Sequence, residues 1–394
     1  MRILIVSQFY YPERFSVNEV AEGLLLLGHE VEVLTGQPNY GFGKKLKEYR
    51  GIKKEVINGV TVNRVHLFAR KNNHLSVSIN YLSFYFSSLR FIKKFKKEFD
   101  IVLSFSLSPV ISIAAANKYA KTHNIPHVLF CQDLWPESTI VTGAVRKDSL
   151  VYKILYKWSV NLYSQVDKII ISSPSFKNYF VNELHIDKPF VYINQPILKA
   201  RETLPPEEYK AKYNFVYAGN IGTIQLIHEL VDAMNYVKHK DAVLHLTGMG
   251  AESKKVIAQI KEAGLEDRVI YHGPKSLEVV ESYFVNADAL IVSLKAGGTV
   301  GKTIPNKVNQ YMSAGKPIIG VIKGDARDML RTAKGALLAE EDPKDIARQI
   351  DEICDMDLIK KAEMGKNNLD YFNNNLSTEK IVYLINETLT EFKN

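Results

Sequence analysis

Short runs of continuous apolar residues alternate along this chain with stretches in which apolar residues recur every three or four positions. Residues 3–6 form the first run, residues 19–27 the first helix-periodic stretch, and Gly28 and His29 lead into a second run at residues 31–34. Runs that are apolar at nearly every position, with Glu32 the exception in the second, predict strands of a parallel sheet covered on both faces, and the stretch between them predicts the crossover helix of a βαβ unit. Further runs at residues 101–104, 127–131 and 168–172 repeat the alternation, so the N-terminal half reads as a doubly wound α/β domain. Between residues 196 and 213 the pattern lapses into ILKARETLPPEEYKAKY, with paired prolines and many charges. The alternation then resumes: strands at 215–218, 243–247, 269–272 and 289–293, and helices at 224–234 and 252–263. The expected division is a domain at 1–195, a linker at 196–213, a second α/β domain at 214–370, and a final helix at 371–394 that crosses back to the first domain. Ligands of open α/β sheets bind beyond the carboxyl ends of the strands, so a cleft between the domains is the expected site.

One stretch carries the most chemistry. Residues 297–321 read GGTVGKTIPNKVNQYMSAGKPIIGV, in which Gly297, Gly298 and Gly301 allow an unusual loop and Pro305 suits a helix start. Gly315 stands where a left-handed C-terminal cap belongs, and Ile318, Ile319 and Val321 look like a buried strand. Within the helix, Val308, Tyr311 and Met312 share one side, while Asn306, Gln310 and Ser313 share the other and are free to touch a ligand. The unpaired N–H groups of a first helical turn favour an anion, and Lys302 and Lys307 add full charges. The stretch, with Thr303 and Ile304 in its loop, is a candidate cradle for a diphosphate; the alternative is a surface loop with solvated lysines.

Charge and cysteine content narrow the setting. The net charge of +8 comes without an RNA-binding signature or a regular basic repeat, so no nucleic-acid partner is expected. Cys131 and Cys354 stand too far apart in sequence to suggest a disulfide framework or a zinc set, which fits a reducing, cytoplasmic compartment. The N-terminal run is too short for a signal-peptide core, and residues 101–116 are interrupted by serines and Pro109 and fall short of the ~20 apolar residues that span a bilayer. Residues 74–99, HLSVSINYLSFYFSSLRFIKKFKKEF, join a strongly aromatic helix to Arg90, Lys93, Lys94, Lys96 and Lys97. That composition suits docking on an anionic membrane surface at the inner face of the cell membrane; the alternative is a packed helix with a basic outer face.

Taken in order, FYYPER, LLGHEVEVLTGQPNY and QDLWPES in the N-terminal half, and FVYAGNIGTIQ, HLTGMGAE, RVIYHGP, VNADALIVSL and IPNKVNQYMSAGKPII in the C-terminal half, make the chain resemble the GT-B-fold retaining glycosyltransferases of family 4, of the bacterial capsule, O-antigen and exopolysaccharide type. The resemblance implies two Rossmann-like domains, a nucleoside-diphosphate sugar donor, expected to carry uridine, on the C-terminal domain, an acceptor on the N-terminal domain, and no required metal or cofactor. It places donor contacts at Gly219, Asn220, Gly222, Gln225 and Gly248, and at the backbone near His272 and Gly273. Many members carry two glutamates eight positions apart, where this chain has Lys302 and Gln310, and the glycine pair usual after the first strand is replaced near Phe15, Ser16 and Val17. Lys307 matches the lysine of a Pro-x-Lys variant of the pattern.

For transfer, Lys307 with Lys302 would stabilise the departing diphosphate. Asp133, just after a strand, is the candidate to orient or deprotonate the acceptor hydroxyl, with a helix N-cap or turn residue as the alternative. Ser16, Glu137 and Trp135 are further acceptor candidates, Trp135 by stacking on a sugar ring or, alternatively, as packing. His272 is expected to be packed or solvated rather than basic, and Asp355-Met356-Asp357 to be a solvated face. The expected acceptor is a lipid-linked glycan. The rival readings are a sugar-nucleotide 2-epimerase and a non-catalytic partner subunit, the latter suggested by the missing glutamates.

Overall fold

A computed structural model describes residues 1–393 apart from 41, 42, 45, 72, 142 and 298–301. The chain divides into two compact units, Met1–Pro196 with Thr378–Asn394, and Ile197–Ser377.

The first unit is built on eight strands: β1 (Arg2–Val6), β2 (Glu30–Gly36), β3 (Lys54–Ile57), β4 (Val60–Val65), β5 (Ile101–Ser106), β6 (His127–Cys131), β7 (Lys168–Ile171) and β8 (Phe190–Tyr192). Their order is β3-β4-β2-β1-β5-β6-β7-β8. All neighbours are parallel except β3 and β4, which form a hairpin through Asn58 and Gly59, both at positive φ. Central β1 is fully buried at Ile3, Leu4 and Ile5 because helices cover both faces. Ile3 and Ile5 pack under Ser16–Leu26 and Thr378–Thr390, whereas Leu4 and Val6 face Phe84 of His74–Lys94 and Ala115 and Ala116 of Ala114–His123. The chain's last helix thus belongs to the first unit. His29 bonds Asn386 at 2.6 Å, and Lys168 pairs with Glu391.

The second unit has six parallel strands: β9 (Tyr213–Ala218), β10 (Ala242–Thr247), β11 (Val269–Gly273), β12 (Ala289–Ser293), β13 (Ile318–Val321) and β14 (Ala336–Leu338), in the order β11-β10-β9-β12-β13-β14. From β9 the chain first builds toward β11, then returns to lay β12 on the other side of β9. The loops after β9 and β12 therefore part at a topological switch point, where an open α/β sheet offers a crevice.

Of the expected linker, residues 196–213, all but Pro196 lie on the second unit. The Ala200 N–H donates to Ser313 Oγ (3.2 Å), Arg201 pairs with Glu281 (2.9 Å), and the Tyr209 hydroxyl donates to the Tyr283 carbonyl (2.8 Å). The final segment is two helices, Leu358–Asn375 on the second unit and Thr378–Thr390 on the first, broken around Leu376. The helix expected from residue 224 starts at Ile227, because Leu226 takes a left-handed conformation at φ 53°. Pro305 is extended, at ψ 140°, and sits just before the helix Asn306–Ser313 rather than in its first turn; Gly315 closes that helix at φ 64°. Asp357 caps Leu358–Asn375 by accepting from the Lys360 N–H (2.7 Å), and Asp355 accepts from His239, which assigns both carboxylates structural duties.

Candidate functional site

In the second unit the site is laced together from backbone. The Gly219 N–H donates to the Thr247 carbonyl (2.9 Å), the Ile221 N–H to Met249 (3.1 Å), and the Gly248 N–H to Gly273 (2.9 Å), so the loops after β9, β10 and β11 close on one another. Gly248 stands at φ 128°, and a Cβ there would fall 1.9 Å from the Gly219 carbonyl oxygen. Only glycine fits such a contact. At the end of β11 the register with β10 skips His272, a bulge that takes its backbone out of the ladder.

Lys307 reaches from the helix Asn306–Ser313 into this lacework. Its Nζ lies 3.5 Å from the centre of the Tyr217 ring, and a Cβ on Gly219 would come within 2.9 Å of it. Burial pushes the amine down to about 7. The charge is favoured by the aromatic face and opposed by desolvation. Around it the strand end is rigid: the Tyr217 hydroxyl donates to the Asn220 carbonyl (2.7 Å), and the Tyr311 hydroxyl accepts from the Ala218 N–H (2.9 Å).

The other donor candidates divide by what already occupies them. Gln225 Oε1 accepts from Asn220 Nδ2 (3.2 Å) and the Gly222 N–H (3.1 Å), so these three hold the turn after β9. The Ile304 side chain is buried in the core and does not face a ligand. Lys302, Thr303, Pro305 and Gln310 are half-buried and Asn306 is exposed; Gly301 lies outside the described residues. Ser313 does not share the open face: it is buried, donates to the Gln310 carbonyl (2.7 Å) and accepts from Ala200. His272 stacks on His245 at 5.2 Å with a nitrogen-to-nitrogen contact of 3.0 Å, and burial lowers its pKa. Its ring packs on that of His245. A carboxylate missed in the sequence, Glu341, accepts from the Ala296 N–H (2.6 Å) at the base of the glycine-rich loop.

In the first unit the candidate acceptor residues are held by side chains. Asp133 follows β6; burial drives its carboxyl up to about 7, more than the neighbouring Ser138 and Leu134 N–H lower it. It is a turn residue, four positions before the short helix Glu137–Val141, not that helix's N-cap. Next to it, Gln132 donates to Ser16 Oγ (2.6 Å), which joins the loop after β6 to the first helix. Tyr81 is raised by burial, with the Asp133 charge adding to the effect, and its hydroxyl accepts from Arg70 (3.1 Å). Arg70 and Tyr81 were not read from the sequence. Neither was Glu13 of FYYPER, which is buried and accepts the amides of Asn39 and Tyr40, tying the loop after β1 to the loop after β2. A charge inside an aromatic and proline-rich run, with no amphipathic reason to be there, was the available signal.

Two acceptor candidates are corrected. Glu137 is 8% exposed and accepts from the hydroxyls of Tyr152 and Tyr179, so its carboxylate serves the core. Trp135, 6% exposed, is packed among Leu134, Tyr163 and Phe176 and has no free face for a sugar.

Comparison with known proteins agrees with this architecture. Residues 15–197 match the family model Glycosyltransferase Family 4, and residues 201–370 match Glycosyl transferases group 1. The chain is 27% identical over 314 residues to the probable glycosyltransferase WbjE of Pseudomonas aeruginosa, covering 75% of this chain and 76% of WbjE. Its fold is similar to that of Anabaena HepE in complex with UDP (TM-score 0.74, 15% identity, 99% of this chain and 100% of HepE). It is also similar to sucrose-phosphate synthase of Thermosynechococcus elongatus (TM-score 0.77, 16% identity, 99% and 98%). Two doubly wound units, each carrying a glycosyltransferase domain, make this chain a glycosyltransferase of the GT-B fold.

Proposed function

We propose that the protein is a retaining, metal-independent glycosyltransferase that moves a sugar from a nucleoside-diphosphate donor, with uridine as the base, to a lipid-linked glycan at the cytoplasmic face of the membrane, in the synthesis of a surface polysaccharide. The observation that carries the reading is the Lys307 ammonium beside Gly219, at the switch point of the second sheet and next to the start of the helix Asn306–Ser313. A diphosphate there would restore the charge that burial opposes, and amide donors with a lysine would stabilise it as it leaves. HepE, which shares the fold, has been solved with UDP and with UDP-glucose, in keeping with this choice of donor.

In the reaction the bond from the anomeric carbon to the diphosphate breaks, and a bond to the acceptor oxygen forms on the same face. Asp133 takes the acceptor's proton: a carboxyl near pKa 7 is half ionised at neutral pH, the useful poise for a general base. Gln310 holds a ribose hydroxyl in place of the family's carboxylate.

The membrane part of the reading rests on the helix His74–Lys94. Its inner face buries Asn80, Phe84 and Ser88, while Leu75 (72% exposed), Ile79, Leu82 and Phe86 (65%) form a stripe open to solvent, continued by Arg90 and Lys93. Apolar residues followed by cations on one exposed face suit insertion at a lipid surface, and no described helix is long and apolar enough to cross a membrane. The test is release of UDP from UDP-sugars in the presence of a membrane lipid extract from the source. Acceptor-dependent release is expected. A protein that binds no nucleotide and releases none would instead be a non-catalytic partner subunit.

A further inference from the structure

One cavity in the first unit belongs to neither candidate site. It encloses about 960 Å³, between the segment 46–53 and the C-terminal half of His74–Lys94. Six cationic side chains line it: Arg64, which pairs with Glu55, and five solvent-exposed ones, Lys47, Arg50, Lys53, Arg90 and Lys94, none of which pairs with a carboxylate among the described residues. Glu48 is the one carboxylate in the segment, exposed and in no ion pair among the described residues, so five positive charges outweigh one negative and an anion that fits between them is favoured. The deeper wall is apolar: Val65 is buried, and Leu46, Phe91 and Phe95 are half-buried.

The segment that carries three of these cations is fastened to the sheet. The Arg64 N–H donates to the Lys53 carbonyl (2.9 Å), and the Tyr49 ring lies 4.8 Å from the Arg64 guanidinium. Arg64 itself is committed elsewhere, to Glu55 and to the carbonyls of Gly36 (3.2 Å) and Tyr11 (2.6 Å). The cavity is therefore a supported site with free charge at its rim and an apolar wall behind.

We infer that this cavity binds a diphosphate joined to an apolar chain, the anchor of a lipid-linked acceptor, with the diphosphate on the five cations and the first part of the chain against Leu46, Phe91 and Phe95. Charge decides for a diphosphate over a phospholipid headgroup, since a phosphodiester offers a single negative charge to five positive ones. The wall decides for an attached chain over a free anion, which would leave it unfilled. Arg90 also continues the exposed stripe of the same helix, so the cavity opens beside the face proposed to lie on the membrane. The inference rests on the proposed lipid-linked acceptor but uses none of the candidate transfer residues.

Calorimetry with geranyl diphosphate, in saturating UDP so that the strand-end loops of the second unit are occupied, tests it. Geranyl diphosphate should bind at least tenfold more tightly than inorganic pyrophosphate or dihexanoyl phosphatidylglycerol. Arg50→Gln, Lys53→Gln and Arg90→Gln should each weaken it about fivefold. Leu46→Ser should weaken geranyl diphosphate and leave pyrophosphate unchanged. The pair Lys177→Gln and Lys188→Gln, beside β7 and β8 at the other edge of the sheet, should do nothing. Equal binding of pyrophosphate would make the cavity a free-anion site, equal binding of the phosphatidylglycerol a general headgroup site, and no binding an empty one; each overturns the inference. UDP binding is read separately, so its loss would count against the donor reading alone.

Discussion

The strand ends of the two units are built from different materials. In the second unit the loops after β9, β10 and β11 are joined by backbone hydrogen bonds and separated by contacts too close for any side chain at Gly248, and a single long side chain, Lys307, enters the space left. In the first unit the corresponding loops are joined by buried polar side chains: Glu13 to the amides of Asn39 and Tyr40, and Gln132 to Ser16. The loop N–H groups are spent on neighbouring carbonyls, so a phosphate there would be met by Lys307 and the start of the helix Asn306–Ser313. A surface of side chains can be re-specified by substitution while the sheet beneath stays the same.

If the second unit's site depends on backbone approach, its most damaging substitution is the smallest. Gly248→Ala combines a φ of 128° with a Cβ 1.9 Å from the Gly219 oxygen. It should lower the stability of the protein by roughly 3 kcal/mol or more in urea unfolding and abolish UDP binding. A stable variant with intact UDP affinity would show that these loops part freely, and the comparison would collapse.

Lys307→Met keeps the length of the side chain and removes its charge, and should weaken UDP binding by about 1.5–3 kcal/mol. The free amine sits near pKa 7 and a diphosphate raises it, so above pH 7 binding must take up a proton. That contribution to affinity is full below pH 7 and fades as pH rises through the pKa of the bound amine. Calorimetry in buffers of different ionisation heat should detect the uptake in the parent and not in the variant; uptake that survives the substitution would remove Lys307 from the site.

On the side-chain-built half, Asp133→Asn should leave UDP affinity unchanged and lower transfer at least tenfold, about 1.4 kcal/mol. Because the base is the ionised form, the parent's rate should climb with pH through about 7, and the variant should lack that limb. A parent profile flat across this range would exclude Asp133 as the base. The smallest effect is expected from excess EDTA, which should not change turnover if lysine and helix N–H groups serve where a cation would; loss of activity restored by magnesium or manganese would reverse that expectation.

Much of the fold was legible because it follows from local pattern. Mostly apolar runs marked β1, β2, β5, β6 and β7, and in the second unit β9 to β13, since most of their side chains enter the core; Glu32, Ser104, His127 and His245 are buried polar exceptions. The hairpin of β3 and β4 was equally legible and was passed over: Asn58-Gly59 between KEVI and VTV is a strong short-range turn signal, and both residues do take positive φ. The three-residue strands β8 and β14 were too short to show a period. The left-handed Leu226 that delays the next helix carries no local mark, since leucine is disfavoured there.

The site was legible in part for the same reason. The chain's own order of residues determined the glycines after β9 and β10, the helix that carries Lys307, and the strand end that carries Asp133, because turns, helix starts and strand ends obey rules a few residues long. Tertiary packing alone decided what those residues became. It drew Lys307 over Tyr217, ninety positions back in the chain, and moved its amine toward neutrality. It gave Glu137 to the hydroxyls of Tyr152 and Tyr179 and so took it out of the site, and it left Asp133 so enclosed that its carboxyl titrates near 7. Desolvation and hydrogen bonding are set by what surrounds a group in space, and those neighbours come from distant parts of the chain, so no local pattern could announce them.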